Sequence, residues 1–335
     1  MAEETRRRPP AAVVVALLTT ILTVLLIAFA WPAARSKPRD VPLGIAGPAG
    51  AVAPVTAALG QSAPGAFEIH VYDDRAEAVS AIEDREVYGA IVAGPAGPEM
   101  LTASAGSPAV AQILTQLASR ITADQPGAKP ATVTDVVPLP ADDPRGAGLS
   151  AGSLPLVLGG ILGAVLLSQL VAAGWRRIAG AFAYAVAGGL ALAAVQLYWI
   201  GALEGNYWAD AGVISLAIGA GTITILGLEW LLGAAGFGLG AATMMLLGNP
   251  LSGVTTAPEM LPDGWSTLGR LLPPGASASM LRSVAFFDGA AITRPALVLS
   301  AWLVFGLLLC GIGLMRDRSR RRTLAPVRAI ASDAA

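Results

Sequence analysis

Residues Asn249 to Arg282 read NPLSGVTTAPEMLPDGWSTLGRLLPPGASASMLR and lie between two charge-free apolar segments. Five prolines (Pro250, Pro258, Pro262, Pro273 and Pro274) cut the stretch into pieces too short for one continuous spanning helix. It still keeps apolar residues at helical spacing: Leu268, Leu271 and Leu272, then Met280 and Leu281. Broken helices between spans are tolerated at membrane depth only where protein or a water-filled cavity satisfies their freed backbone groups. The stretch is therefore either a solvated interfacial loop or a set of re-entrant half-helices. In the second case Arg282, between Leu281 and Val284, has a reason to exist: it bonds freed carbonyls or holds an anionic headgroup at the outer mouth.

The composition around this stretch decides the class. With 54% hydrophobic and only 13% charged residues, and a mean hydropathy of +0.63, the chain reads as an integral membrane protein. A length of 335 residues allows a spanning bundle and one modest domain. The basic runs are short and sit beside apolar spans, which argues against nucleic acid as a partner. One cysteine (Cys310, in an apolar span) excludes an intrachain disulfide, and one histidine (His70, in a strand-like run) excludes a multi-histidine metal site. There is no Gly-Lys-Ser/Thr phosphate loop, the only lysines being Lys37 and Lys129, so ATP is not hydrolysed in that way by this chain alone. Asp73/Asp74 and Asp142/Asp143 are adjacent pairs whose side chains point apart. No catalytic constellation, metal or cofactor is expected.

Arg6, Arg7 and Arg8 precede the charge-free run Ala11 to Trp31, long enough to span a bilayer. Ala28-Phe29-Ala30 resembles a cleavage site, but the run exceeds a signal core of roughly 7–15 residues, so residues 1–34 read as a cytoplasmic N-terminus and a retained first helix. Residues 35–150 read as an α/β domain. Its expected strands are Val41–Gly47, Phe67–Tyr72, Val87–Ala93 and Thr132–Val137, with Met100–Ala105 pairing beside the third. Its expected helices are Ala51–Leu59, Asp74–Glu86 and Val110–Ile121.

Residues 151–315 hold the expected spans Leu154–Ala173, Ile178–Ile200, Ala211–Leu228, Trp230–Leu247 and Pro295–Met315, with an external re-entrant segment at 249–288. Residues 316–335 form a basic tail. The fold class is thus an α-helical membrane protein with six transmembrane helices, an extracytoplasmic α/β domain between helices 1 and 2, and re-entrant half-helices before helix 6. Arg176, Arg177 and the run from Arg316 to Arg322 fall on the side of the N-terminus, while Gly201–Asp210 has no Lys or Arg. Both termini are therefore expected in the cytoplasm of a cell-membrane protein. Gly159 and Gly163, like Gly236 and Gly240, are four apart and allow close helix packing, within the chain or across a dimer. Glu229 reads as part of a turn between spans, and Gln169 and Gln196 as interhelical hydrogen-bonding groups.

The order Asn-Pro-Leu-Ser-Gly, Pro258, Leu261-Pro262, Trp265, a leucine-rich half-helix, Pro273-Pro274 and Arg282 resembles the segment before the last helix of ABC-2-type transporter permeases. The subgroup it most resembles is the Pip/YhgE-like membrane proteins, with an external domain after the first helix. The Asp74–Gly89 pattern, charged helix followed by Tyr-Gly-Ala-Ile-Val, is similar to that domain. The resemblance implies re-entrant helices with Asn249, Pro250, Gly253, Pro258, Pro262, Trp265, Pro273 and Arg282 as gate residues. It also implies an export role, a separate ABC ATPase subunit and a homodimer or heterodimer of permease halves in the lipid bilayer. One departure stands against it: Met1–Pro10 and the turn Gly174–Arg177 offer little docking surface for an ATPase. The competing class is a non-transporting membrane scaffold or receptor whose external domain binds a cell-envelope partner.

Overall fold

The computed structural model describes residues 10–94, 97–123 and 131–332; Arg6–Arg8 and Lys129 lie outside them. Among the described residues five helices are long and apolar enough to cross a membrane: α1 (Ala11–Ala34), α5 (Ala147–Leu170), α6 (Trp175–Ala194, prolonged to Ile200 by a π-turn), α7 (Tyr207–Leu232) and the first part of α11 (Thr293–Ser332). The chain is in that sense a multi-pass membrane protein with an α/β domain inserted after its first helix.

The domain has the elements that the periodicities predict, with shifted bounds: the strand expected at Met100–Ala105 runs Gly97–Thr102, and the helix and strand expected to reach Glu86 and Val137 end at Glu83 and Asp135. Strands β1 (Val41–Ala46), β2 (Phe67–Tyr72), β3 (Gly89–Gly94), β4 (Gly97–Thr102) and β5 (Thr132–Asp135) form one sheet in the order β2-β1-β3-β4-β5. The pairs are parallel except β3 with β4, where Ile91 faces Met100 and Ala90 faces Leu101. Because strand side chains alternate, Ile91 and Met100 point to one face, together with α2 (Ala49–Ser62) and α4 (Pro108–Ala123). Ala90 and Leu101 point to the other, against Ala78, Ala81 and Ile82 of α3 (Arg75–Glu83). The expected helices over 74–86 and 110–121 therefore cover opposite faces of the sheet. The start of α3 is fixed by Asp74, whose carboxylate accepts from Glu77 N at 2.9 Å, while Glu77 accepts from Asp73 N at 2.7 Å. His70 is half-exposed on β2, with Glu68 of the same strand 3.9 Å from its Nε2.

In the helical region α7 is the central element. Its apolar window is 78% buried, against 0% for that of α1, and it packs on α5, α6, α10 and α11. Its small and hydroxyl residues make this approach feasible. Thr222 Oγ1 donates to Gly160 O at 3.2 Å and Thr224 Oγ1 to Trp302 O at 3.0 Å. A Cβ on Gly306 of α11 would lie 2.6 Å from Thr224 N. Cys310 is buried beside Ile223.

One expected boundary moves. Glu229 does not lie in a turn: α7 runs through it to Leu232, and the chain reverses at Gly233, whose φ of +65° suits glycine. The return leg is α8 (Ala234–Ala242) and a π-turn (Thr243–Gly248). At about 1.5 Å per residue it covers roughly 22 Å, less than the roughly 30 Å of a bilayer core.

Candidate functional site

The proline-rich stretch folds into short pieces packed against the bundle. Asn249 caps the π-turn, its N–H donating to Met244 O at 3.1 Å, and Ser252 Oγ returns a bond to Asn249 O at 2.8 Å. Pro250 follows half-buried. Gly253 turns the chain at a φ of +65°, and a Cβ there would sit 2.9 Å from Pro258 N. Pro258 opens a single 3-10 turn to Met260, and Pro262 O then accepts from Trp265 N at 3.0 Å as α9 (Trp265–Leu271) begins. Extended Leu272 leads into α10 (Pro273–Phe286), with Pro273 and Pro274 at the first helical positions, where a missing N–H costs nothing. A Cβ on Gly275 would lie 2.2 Å from Gly269 O, so the two half-helices meet backbone to backbone. Leu251, Val254, Leu261 and Leu272 are buried. The stretch is two half-helices and a packed loop.

Breaking a helix with prolines frees carbonyls, and buried carbonyls need donors. Here many of the donors are side chains, three of them from outside the stretch, beside the Lys37 and Arg39 backbone N–H groups that donate to Met260 O and Glu259 O. Arg39 Nη1 donates to Met260 O (3.1 Å) and Leu261 O (3.0 Å), and Ser107 Oγ donates to Thr256 O (2.7 Å). Trp302 Nε1 donates to Leu271 O (2.8 Å), and Arg282 Nη2 donates to Val254 O. Arg282 thus does bond a freed carbonyl. It is 5% exposed, and its Nε has no partner among the described residues.

The α/β domain and the half-helices join through ionisable side chains. Tyr88, just before β3, donates its hydroxyl to Glu259 Oε2 at 2.8 Å, while Arg270 holds Glu259 Oε1 in an ion pair. Arg85 lies just past the end of α3 at a φ of +61°, an αL conformation that turns it toward α10. Its guanidinium bonds Ser279 O and Ser283 Oγ and stacks 5.2 Å over the Phe287 ring. Burial and then Glu259 push the Tyr88 hydroxyl well above its ordinary value, and burial pulls Arg85 down. A cavity of about 320 Å³ opens between the two parts, lined by Arg85, Glu86, Glu259, Arg270, Arg282 and Arg294 among others.

The structure therefore brings Pro258 and Arg282 to one junction and places Trp265 apart from them, against Trp31. The glycine pairs are filled within the chain. Tyr184 of α6 donates to Gly159 O at 2.8 Å, and its ring occupies the notch where a Cβ on Gly163 would come within 2.4 Å. Gly236 lies against Leu228 O and Gly240 against Ile225, closing the α7–α8 hairpin. Gln196 is buried against Gly152, with its Oε1 unpartnered among the described residues.

Sequence reading alone misses Arg85, Tyr88, Glu259 and Arg270, each an ordinary surface residue until the fold brings them together. It also misses Asp210, fully buried in the first turn of α7 with neither carboxylate oxygen partnered among the described residues. A lone acid at the head of an apolar helix is the one sequence signal that points to it. No protein-family model matches the chain, and no curated protein or solved structure matches it.

Proposed function

We propose that this chain is the permease-like membrane subunit of an ABC-2-type exporter, working with a separate ATPase. Both termini are then cytoplasmic, and the α/β domain and half-helices lie on the outer side of the cell membrane. The sixth crossing is composite: α8 and its π-turn supply most of the depth and the packed loop from Asn249 to Ala257 the rest.

The observation that carries this reading is the pair of half-helices α9 and α10, with freed carbonyls caught by Arg39, Ser107, Arg282 and Trp302. Discontinuous helices supported by side chains, beside a polar cavity, are how transport paths place backbone dipoles at membrane depth. The test is purification of the full chain from its own membranes in mild detergent. The expected result is a phosphate-loop ATPase in fixed ratio to the chain, whose ATP turnover in liposomes rises when the chain is present. Recovery of the chain without any ATPase overturns the reading.

A second reading, a membrane scaffold or receptor for a cell-envelope partner, is favoured by the turn between α5 and α6. Arg177 there is spent on Ser168 O (2.7 Å) and Val171 O (3.2 Å) and stacks over Trp230, leaving little surface for an ATPase. The same purification decides between them: a cell-envelope protein bound to the α/β domain in place of an ATPase supports the scaffold.

A further inference from the structure

We infer that the cavity between the α/β domain and the half-helices is a binding site for a phosphoryl group. Four arginines line it (Arg85, Arg270, Arg282 and Arg294) against two carboxylates, Glu86 and Glu259. The carboxylates do not balance the arginines evenly. Glu259 has one oxygen on Arg270 and the other on the Tyr88 hydroxyl. Glu86 is exposed and sits beside Tyr72.

Among the described residues Arg85 and Arg282 hydrogen-bond to neutral acceptors only: Ser279 O and Ser283 Oγ for one, Val254 O for the other. A guanidinium keeps its proton in a protein, so both charges persist at neutral pH. Buried charges are ordinarily paired, because removal from water without a counter-charge costs several kcal/mol. Arg282 is 5% exposed with Nε unpartnered, and it borders the cavity. An anion in the cavity would supply the counter-charge that these guanidinium groups call for.

Its chemistry follows from the lining. Planar guanidinium forks match the paired oxygens of a tetrahedral phosphoryl group, and several converge here from different elements. Arg85 comes from the end of α3, Arg282 from α10, Arg270 from α9 and Arg294 from the start of α11. A space of about 320 Å³ takes a phosphoryl group with a small substituent. Exposed Arg294 and Glu86 mark the way in, and Arg282 the closed end. Two sources carry this chemistry, a phospholipid headgroup and a soluble phosphate. Because the ligand would join two parts of the fold, binding should raise the melting temperature.

The experiment uses the full chain in detergent and in nanodiscs, with no ATPase present, so its outcome is independent of the exporter reading. Thermal unfolding and native mass spectrometry are followed with inorganic phosphate and, separately, with phosphatidylglycerol against phosphatidylcholine. A stabilising shift with inorganic phosphate identifies a soluble ligand; a shift and retained mass only with phosphatidylglycerol identify a lipid headgroup. Arg282→Gln and Arg85→Gln should weaken binding at least about tenfold, as expected for loss of a charged hydrogen-bonding partner. Arg294→Gln, at the exposed rim, should weaken binding without impairing folding, and it decides the matter if the buried variants do not fold. Arg120→Gln, on α4, should leave binding unchanged. Absence of a shift with every probe, or equal binding by wild type and Arg294→Gln together with whichever buried variant folds, overturns the proposal.

Discussion

Trp31, in the last turn of α1, meets Trp265, the first residue of α9, edge to face, with ring centroids 5.6 Å apart and planes at 68°. The apolar window of α1 is unburied, so this pair, the contact of α1 with the π-turn Thr243–Gly248 and the Lys37 and Arg39 bonds just beyond it are what hold the helix to the rest of the molecule among the described residues. Aromatic pairs of this geometry couple by about 0.5–1.5 kcal/mol beyond their area. Trp31→Ala and Trp265→Ala should each lower the unfolding temperature in detergent, and the double variant should lose less than the sum of the two. Strict additivity in that cycle would show that the rings do not support each other.

Tyr88 gives the junction a pH dependence. Burial and Glu259 hold its hydroxyl above the ordinary 10.0, so the folded chain keeps a proton that the unfolded chain releases. This contribution is fully present below about pH 10 and is lost as pH rises beyond it. Stability measured from pH 8 to 11 should fall on the alkaline side, and Tyr88→Phe should flatten that fall. Tyr72, shifted in the same direction, leaves a residual slope.

The sheet core can be tested at Ile91, 2% exposed on the face covered by α2 and α4. Ile91→Asp puts an unpaired charge there and should cost several kcal/mol. Limited proteolysis of the full chain should then cut within residues 41–135 at protease concentrations that leave wild type intact.

Asp210 carries the opposite expectation. Both its oxygens are buried without a partner among the described residues, so neutral Asn at the same place removes a desolvation cost. Asp210→Asn should hold or raise stability by about 1–3 kcal/mol, read by thermal unfolding. A clear destabilisation would mean that the carboxylate has a partner, such as a bound water or proton donor, that Asn cannot satisfy.

Thiol labelling tests how the half-helices meet their surroundings and on which side they lie. In a Cys310→Ala background on intact cells, Glu83→Cys and Asp263→Cys should react fast with a membrane-impermeant reagent, the Asp263 side chain being 93% exposed. Leu272→Cys, at a position 5% exposed, should not react. Leu268 and Leu271 turn away from the protein at 38% and 48% exposure, and lipid should slow their cysteine variants. Labelling of Leu268→Cys as fast as Asp263→Cys would put α9 in water, and labelling of Glu83→Cys only in opened cells would invert the topology.

The domain was legible because its signals are local. The strand-forming run Phe67–Tyr72, the spacing of Ala78, Ala81 and Ile82 and the helical spacing of Val110 to Leu117 each decide one element without reference to distant residues. The boundary at Glu229 was not, because a charge in an apolar run looks like a turn, whereas the reversal depends on the backbone freedom of Gly233. Arg282 stood out by its apolar neighbours. Its companions did not, since Tyr88 and Glu259 are 171 positions apart and Arg85 and Ser283 are 198 apart. Contacts of that range arise only when the domain is seated on the half-helices.

The burial of α7 has a consequence for the order of assembly. Its Thr224 hydroxyl is satisfied by Trp302, and Gly306 fits against its backbone, yet both partners belong to α11, which is synthesised after α8 to α10. While the ribosome is still making α8 to α10, one flank of α7 has no protein against it and a hydroxyl turned toward whatever fills that space. The nascent chain thus carries an open seam down its middle until α11 arrives. A chain truncated before Thr293 would retain the α/β domain and four of the five long apolar helices, but it would be left with that seam as a surface for chaperones and membrane proteases.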